Sequence, residues 1–323
     1  MILSIENLSV TYKRNDGQSI TAVDSVSLTL NRGEILGLVG ESGCGKSTLG
    51  KAIMGIEPAS QGRIRFEGNL VTPLERSARP IELRKLQLIF QDPYSSLNPR
   101  RRIGDQLIDG LINQGDNEAE AREYSAQLLE KVGLSRSALD RFTHQFSGGQ
   151  RQRIAIARAL SLRPSVVIAD EPISALDASA QAQVSNLLLS LTREFDLGMI
   201  FISHDLSVIR QITDRTAVMY LGKIVEIGET EVVWRDPAHP YTQALIEAIP
   251  KPDGKGGLPR ELPGDVPDPR FPPSGCRFHP RCPKKMTDCE LRAPQLISLS
   301  KSTQLTKSTH FASCLLHEKV TQE

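Results

Sequence analysis

Eight residues, Gly40-Glu41-Ser42-Gly43-Cys44-Gly45-Lys46-Ser47, constrain this chain more than any other stretch. They follow the apolar run Ile35-Leu36-Gly37-Leu38-Val39 and precede Leu49, Ile53 and Ile56, which recur at helical spacing. The local fold is therefore predicted as buried strand, glycine-rich turn and helix. The glycines let successive backbone N–H groups converge on phosphate oxygens at a helix N-terminus, while Lys46 adds a point charge and Ser47 a hydroxyl for Mg²⁺. A turn that only reversed the chain would not need Lys and Ser directly after its last glycine. The ligand read from this stretch is a nucleoside triphosphate, bound by residues 40 to 47 together with Thr48. Cys44 fills a variable position as a small side chain, although a thiol beside Lys46 could be reactive.

A second constellation lies downstream. Val166-Val167-Ile168-Ala169-Asp170-Glu171 sets two acids at the end of an apolar strand, the edge at which open α/β sheets bind ligands. Alone, such a pair reads as a solvated helix N-terminus, where acids suit the dipole. With the phosphate-binding stretch upstream the chemical reading takes over. Asp170 is expected to hold Mg²⁺, directly or through water, and Glu171 to orient or deprotonate the attacking water.

The rest of the chain fits around these two points. Residues 1 to 40 alternate apolar and polar positions around Asn15-Asp16-Gly17 and Asn31-Arg32-Gly33, which predicts antiparallel strands leading into one buried strand. Helical signals run from about 103 to 164, through Leu128, Leu129 and Val132 and then the Arg-rich stretch from Gln150 to Leu160. Val166 to Ala169 and Met199 to Ser203 are short apolar runs expected, with residues 35 to 39, at the centre of a parallel sheet. From Pro250 onward, and densely from Pro263 to Pro273, proline and glycine predict a linker before a small cysteine-bearing tail.

Composition excludes several classes. With 39% hydrophobic and 24% charged residues over 323 positions, the chain is an ordinary globular one that can bury a core unaided. A net charge of +1 gives no reason to expect a nucleic-acid partner. The N-terminal residues lack a basic stretch followed by a long apolar one, and no later run is long enough to span a bilayer, so a cytosolic or peripheral protein is expected. Arg100-Arg101-Arg102 reads as solvated surface.

Between the two acid and phosphate motifs, Phe146-Ser147-Gly148-Gly149-Gln150-Arg151-Gln152-Arg153 closely resembles the signature of the ABC ATPases, with Phe146 keeping the first position apolar. Read physically, Ser147, Gly148 and Gly149 open a helix and form an anion site, or simply a well-capped helix end. The resemblance implies an α/β fold of the ABC-type P-loop NTPases, with a RecA-like core, an antiparallel β subdomain and a helical subdomain. It implies a cassette over 1–250, its helical subdomain inserted at about 92–164, and a C-terminal extension over 251–323. Gln91 resembles the Q-loop glutamine, a second contact to Mg²⁺ and the reaction centre, and Ser174-Ala175-Leu176-Asp177 resembles the D-loop. His204 resembles the switch histidine at the γ-phosphate, and Tyr12 the aromatic residue that stacks on adenine, although as half-buried strand residue it would be unremarkable. In this family Ser147, Gly148, Gly149 and Gln150 face ATP bound to another cassette. One phosphate loop and one signature therefore imply a dimer.

His239-Pro240-Tyr241-Thr242-Gln243-Ala244-Leu245 and Asn98-Pro99-Arg100 are similar to segments of dipeptide, oligopeptide and nickel importers. This resemblance implies a heterodimer with a second homologous ATPase subunit, two transmembrane permease subunits and an extracytoplasmic substrate-binding protein. It also implies a peripheral location at the cytoplasmic face of the bacterial inner membrane. Peptides lead as cargo, with nickel or another small solute as the alternative; a soluble ABC ATPase uncoupled from transport is the rival reading. Cys276, Cys282, Cys289 and Cys314 give C-x₅-C-x₆-C-x₂₄-C, a spacing without the close pairs of structural zinc sites. The resemblance favours a [4Fe-4S] cluster on these four thiols, with zinc or free thiols as alternatives.

Overall fold

Where apolar residues alternate or run unbroken, the chain forms strands; where they recur every three or four positions, it forms helices. The computed structural model describes residues 1–13, 17, 19–75, 79–249, 264–299 and 310–318. The strands are β1 (Leu3–Lys13), β2 (Ser19–Leu30), β3 (Ile35–Val39), β4 (Gln61–Phe66), β5 (Asn69–Leu70), β6 (Leu86–Ile89), β7 (Val166–Asp170), β8 (Gly198–Ser203), β9 (Arg215–Tyr220), β10 (Lys223–Glu229), β11 (Ile297–Ser298) and β12 (Phe311–Ala312). The α-helices are α1 (Lys46–Ile53), α2 (Pro93–Ser96), α3 (Ile103–Ile112), α4 (Glu118–Lys131), α5 (Gly148–Ser161), α6 (Ala178–Glu194), α7 (Leu206–Ile212), α8 (Thr230–Arg235), α9 (Pro240–Glu247) and α10 (Leu315–Glu318). They fall into two compact units, one of residues 1–4, 29–35 and 65–202, the other of residues 5–28, 36–64 and 203–323.

In the first unit β6, β7 and β8 run parallel, with Leu86 beside Val166 and Val166 beside Gly198. Every residue of β7 and β8 is buried, as strands covered on both faces must be. The helical signals between about 103 and 164 form α3, α4 and α5, which pack on one another; Ile108, Leu111 and Ala121 form a core there with Tyr124 against it. Asn117 caps α4 by accepting from the Ala119 N–H, and Glu118 and Glu120 follow in its first turn, opposite in charge to the helix end. α6 starts on Asp177, whose carboxylate accepts from the Ala180 N–H at 2.9 Å. β5, missed by the apolar pattern because both its residues are exposed, pairs antiparallel with the end of β4.

In the second unit β3 pairs parallel with β9, Leu36 beside Arg215 and Val39 beside Val218, and β9 turns back antiparallel into β10. β1 lies between β2 and β4. β12 and then β11 continue antiparallel from β10, with Glu226 opposite Ala312. The described part of the C-terminal segment therefore belongs to the same unit as β9 and β10. Glu226 is fully buried on β10, and its carboxylate accepts from the N–H groups of Ala238 and His239, each at 2.8 Å, with His310 Nε2 also at 2.8 Å. Three partners satisfy a charge that burial would otherwise make costly.

One detail differs from the sequence reading. α1 ends at Ile53, and Ile56 lies beyond it, exposed rather than packed, because the chain turns at Gly55 with φ at 74°. Asn15 and Asp16 of the predicted hairpin turn, and the segment from Pro250 to Pro263, lie outside the described residues. From 264 to 273 the proline-rich stretch holds no helix or strand. Among the described residues no helix is long and apolar enough to cross a membrane.

Candidate nucleotide site

The phosphate loop leaves the buried strand β3 at Gly40 and enters α1 at Lys46. Glycine is required there by close approach of the backbone. A Cβ on Gly40 would lie 2.1 Å from the Met219 carbonyl oxygen, and one on Gly45 would lie 2.1 Å from that of Ala22. Gly45 also has φ at 106°, and Gly43 turns the loop at 77° with nothing against it. Lys46 is only 4% exposed, and its ammonium donates to the carbonyls of Gly40 at 2.7 Å and Glu41 at 2.9 Å. The charge is thus held over the loop's own backbone. Ser47 and Thr48 lie in the first turn of α1, and Tyr12 Oη donates to Thr48 Oγ1 at 3.4 Å. Cys44 is buried 3.7 Å from Lys46 Nζ, but burial outweighs the ammonium and pushes its thiol pKa up. It is a protonated packing residue, and the reactive thiolate that Lys46 suggested is not favoured.

Two contacts to this loop had no signal in the sequence. The Glu41 N–H donates to Tyr241 Oη at 2.9 Å, and the Glu41 carboxylate accepts from both terminal nitrogens of Arg281, at 2.7 and 3.0 Å. These partners lie 200 and 240 positions downstream, beyond the reach of any local pattern. In the same unit His204 follows β8 as an exposed residue, and Asp205 caps α7 by accepting from the Ser207 N–H at 2.8 Å.

The first unit carries the acids. Asp170 ends β7 and is 7% exposed. Glu171 follows in the left-handed region, φ 46°, a conformation that costs a non-glycine residue roughly 1 kcal/mol. Its N–H donates to the Ile202 carbonyl at 3.0 Å, its carbonyl accepts from Ser174 Oγ at 3.0 Å, and its carboxylate accepts from Gln91 Nε2 at 3.0 Å. The structure thus brings the predicted Gln91 and Glu171 together, 80 positions apart.

Ser147 caps α5 reciprocally: its hydroxyl accepts from the Gln150 N–H at 3.3 Å, and Gln150 Oε1 accepts from the Ser147 N–H at 3.0 Å. Phe146 is buried beneath the Arg141 guanidinium, 4.3 Å from the ring centre. Ser147, Gly148, Gly149 and Gln150 share the lining of a cavity of about 460 Å³ with Ala175, Leu176 and Asp177. The signature stretch and most of the D-loop stretch therefore face one space. A Cβ on Gly148 would meet nothing within 4 Å, and one on Gly149 only Ala180 at an ordinary 3.6 Å. The chain's own packing does not explain these two glycines.

The four C-terminal cysteines lie in the second unit, as free thiols. Burial pushes Cys276 and Cys314 up to about 11 and Cys282 up as well, and the thiols of Cys276, Cys282 and Cys289 each add to the rise at Cys314. Their sulfurs receive backbone N–H groups: Phe278 and His279 at Cys276, Lys284 at Cys282, Met286 at Cys289 and Leu316 at Cys314. The thiols share one neighbourhood, but among the described residues no group of three or more His, Cys, Asp and Glu is arranged to hold a metal ion. A ready-made four-thiol site, as expected from the sequence, is not what the structure contains.

Residues 23–174 match the family described as ABC transporter, and residues 225–289 match the oligopeptide/dipeptide transporter C-terminal region. A Brucella ovis protein described as a peptide import ATP-binding protein is 45% identical over 316 residues, 97% of each chain. The dipeptide transport ATP-binding protein of Haemophilus influenzae is 48% identical over 283 residues, 86% of each. Among solved structures, a dimeric ATP-binding cassette in a post-hydrolysis state with ADP and Pi is similar at 26% identity and a TM-score of 0.62, over 71% of this chain and 99% of that one. A Clostridium perfringens subunit of an ABC transporter complex matches at 29% identity and the same TM-score of 0.62, over 73% of this chain and 91% of that one. The fold is thus that of an ABC ATPase cassette. The chain belongs to the ABC transporter family, among the ATP-binding proteins that carry the oligopeptide/dipeptide transporter C-terminal region.

Proposed function

We propose that this chain hydrolyses ATP to drive import of dipeptides and oligopeptides, as one of two related motor subunits beneath a pair of membrane permeases. The observation that carries the reading is the cavity shared by the signature and D-loop stretches, with two glycines at which a Cβ would meet no close contact from the chain itself. Helix N–H groups and a serine hydroxyl presented to such a space suit a phosphate arriving on another molecule. The names of the relatives support peptides as cargo; in this reading an extracytoplasmic binding protein delivers them. In this reading residues 1–250 are the cassette, about 92–164 its helical subdomain and 251–323 the extension, and the subunit works peripherally at the cytoplasmic face of the inner membrane.

The loop residues 40 to 48 cradle the triphosphate, Lys46 exchanging its carbonyl partners for phosphate oxygens, and Tyr12 stacks on the base. Asp170 is buried at a strand end, and together with Ser47 and Gln91 it would supply the hard oxygen ligands that Mg²⁺ requires. Mg²⁺ held there would supply charge neutralisation on the phosphate oxygens. Glu171 takes the proton of the attacking water, oriented by Gln91, and His204 contacts the γ-phosphate. Ser147 to Gln150, with Ser174 to Asp177 behind them, complete the site of the second, homologous ATPase subunit.

For the cysteines we propose the [4Fe-4S] cluster, with Cys276, Cys282, Cys289 and Cys314 as the residues that would hold it. Its support is an all-thiol donor set in which every sulfur receives a backbone N–H, the feature that stabilises thiolates on iron–sulfur clusters and tunes their potential. Protein purified without oxygen should be brown, with about four irons per chain; stoichiometric zinc and no visible absorption would overturn this assignment. The transport reading is tested by purifying the chain with its membrane partners and measuring ATPase activity with peptide-loaded binding protein. Stimulation by a peptide is expected, and none by any peptide would overturn the cargo.

A further inference from the structure

Glu41 is an awkward residue for an anion site. Its carboxylate sits at the second position of the phosphate loop, where an uncompensated negative charge would repel a triphosphate. Arg281 compensates it with two hydrogen bonds, at 2.7 and 3.0 Å, from a side chain only 4% exposed. The guanidinium lies 5.9 Å from the ring centres of both Tyr220 and Phe278, so its direction is fixed by packing. Burial works against its charge, and the bonds to Glu41 and Tyr220 outweigh that, holding the guanidinium above its ordinary pKa. Tyr241 belongs to the same cluster, its ring 4.6 Å from Tyr220 and 5.4 Å from Phe278, with its hydroxyl on the Glu41 N–H.

The other end of the loop is held in a parallel way. The Gly222 N–H donates to the Cys44 carbonyl at 2.8 Å, and the neighbouring Leu221 carbonyl accepts from Arg277, which also pairs with Asp24. Arg277 follows Cys276 directly, and Arg281 directly precedes Cys282. The short interval between two cysteines thus sends one arginine to the loop and one to the turn beneath it.

We propose that Arg281 and Tyr241 are positioning residues of the phosphate loop, so that α9 and the C-terminal cysteine-bearing segment together set how tightly this chain binds a nucleoside triphosphate. Arg281 neutralises Glu41, and Tyr241 fixes the backbone at the loop's first turn. Neither side chain needs to touch the nucleotide. The inference rests on residues 40 to 48 being the triphosphate site, and it would hold whether the thiols carry a metal or not.

The test is calorimetric titration of the full-length chain with MgATP. Arg281→Gln is expected to weaken binding about ten-fold, because it leaves Glu41 charged and without its buried partner. Glu41→Gln alone removes the repelling charge but leaves the Arg281 guanidinium buried without its partner, so it is read only as the background for the double variant. The double variant should therefore bind more tightly than Arg281→Gln, a rescue that a general packing role for Arg281 would not produce. Tyr241→Phe keeps the ring and should weaken binding by about three-fold. If Arg281→Gln does not fold, Arg281→Lys is read instead: it keeps the charge that neutralises Glu41 and should bind within about three-fold of the wild type, whereas a loss of about ten-fold would overturn charge compensation. Wild-type affinity in Arg281→Gln, or no rescue in the double variant, overturns the clamp. Lys46→Ala is run alongside: if it too binds like the wild type, the site reading has failed rather than the clamp.

Discussion

The phosphate loop and the turn after β7 each hold a group with a proposed chemical role, and they do so by opposite means. At Glu171 the conformation is made locally, by a left-handed residue, a Ser174 hydroxyl three positions on and a bond to the next strand, with Gln91 added from a distance. At the phosphate loop the glycines allow the shape, but side chains from the far end of the chain hold it: Tyr241 and Arg281 on Glu41, and Arg277 on the turn beside Cys44. Strain placed in a turn keeps its effect within the turn. Contacts borrowed from another segment couple the loop to that segment's fold.

The largest expected effect breaks chemistry without touching either scaffold. Glu171→Gln should bind ATP normally and lose roughly 10³-fold in hydrolysis, measured as steady-state phosphate release. Retained turnover would refute the assigned base and leave the β7 turn without its function. Next, Lys46→Ala should weaken ATP binding about a hundred-fold while leaving thermal unfolding nearly unchanged, since its bonds go to carbonyls of its own loop.

Acid provides a sharper separation of the two regions. His239 is fully buried, and burial lowers its pKa from 6.5 to about 4; its Nδ1 accepts from the Tyr241 N–H at 3.0 Å as the cap of α9. A neutral imidazole is required for that bond. The stabilisation is fully present above pH 6.5 and is lost as pH falls from there towards about 4, worth about 3 kcal/mol in all. Thermal unfolding followed across this range should show the loss, and ATP affinity should fall with it, because α9 carries Tyr241. His239→Asn, which can still cap the helix, should flatten the profile; an unchanged profile would show that His239 is not the titrating group. The smallest effect belongs to the first unit: Ser147→Ala removes one half of a capping box and should cost about 1 kcal/mol of unfolding free energy.

Much of this was legible along the chain because its determinants are close in sequence. Gly40 to Ser47 carry their own turn chemistry, β7 and β8 announce themselves as apolar runs, and Ser147 with Gln150 is a capping box three residues wide. β6, β9 and β10 were not read: β6 is a bare four-residue run, and the β9–β10 hairpin turns on Leu221-Gly222, in which a single glycine after a leucine is a weak signal. The four cysteines were legible as a donor set, but not the open arrangement they adopt, because thiol positions depend on how segments near 276 and 314 fold together.

What the sequence alone determined, then, is the chemistry available: a triphosphate loop, an acid pair on a strand end, a signature helix and four thiols. Its residue types and short spacings encode those directly. Only the tertiary structure decided which of them meet. Gln91 finds Glu171, the signature shares a cavity with Asp177, and the phosphate loop closes on Arg281, whose separation of 240 positions leaves no local trace. Long-range partners are chosen by packing and charge compensation in three dimensions, and no window along the chain contains both halves of such a pair.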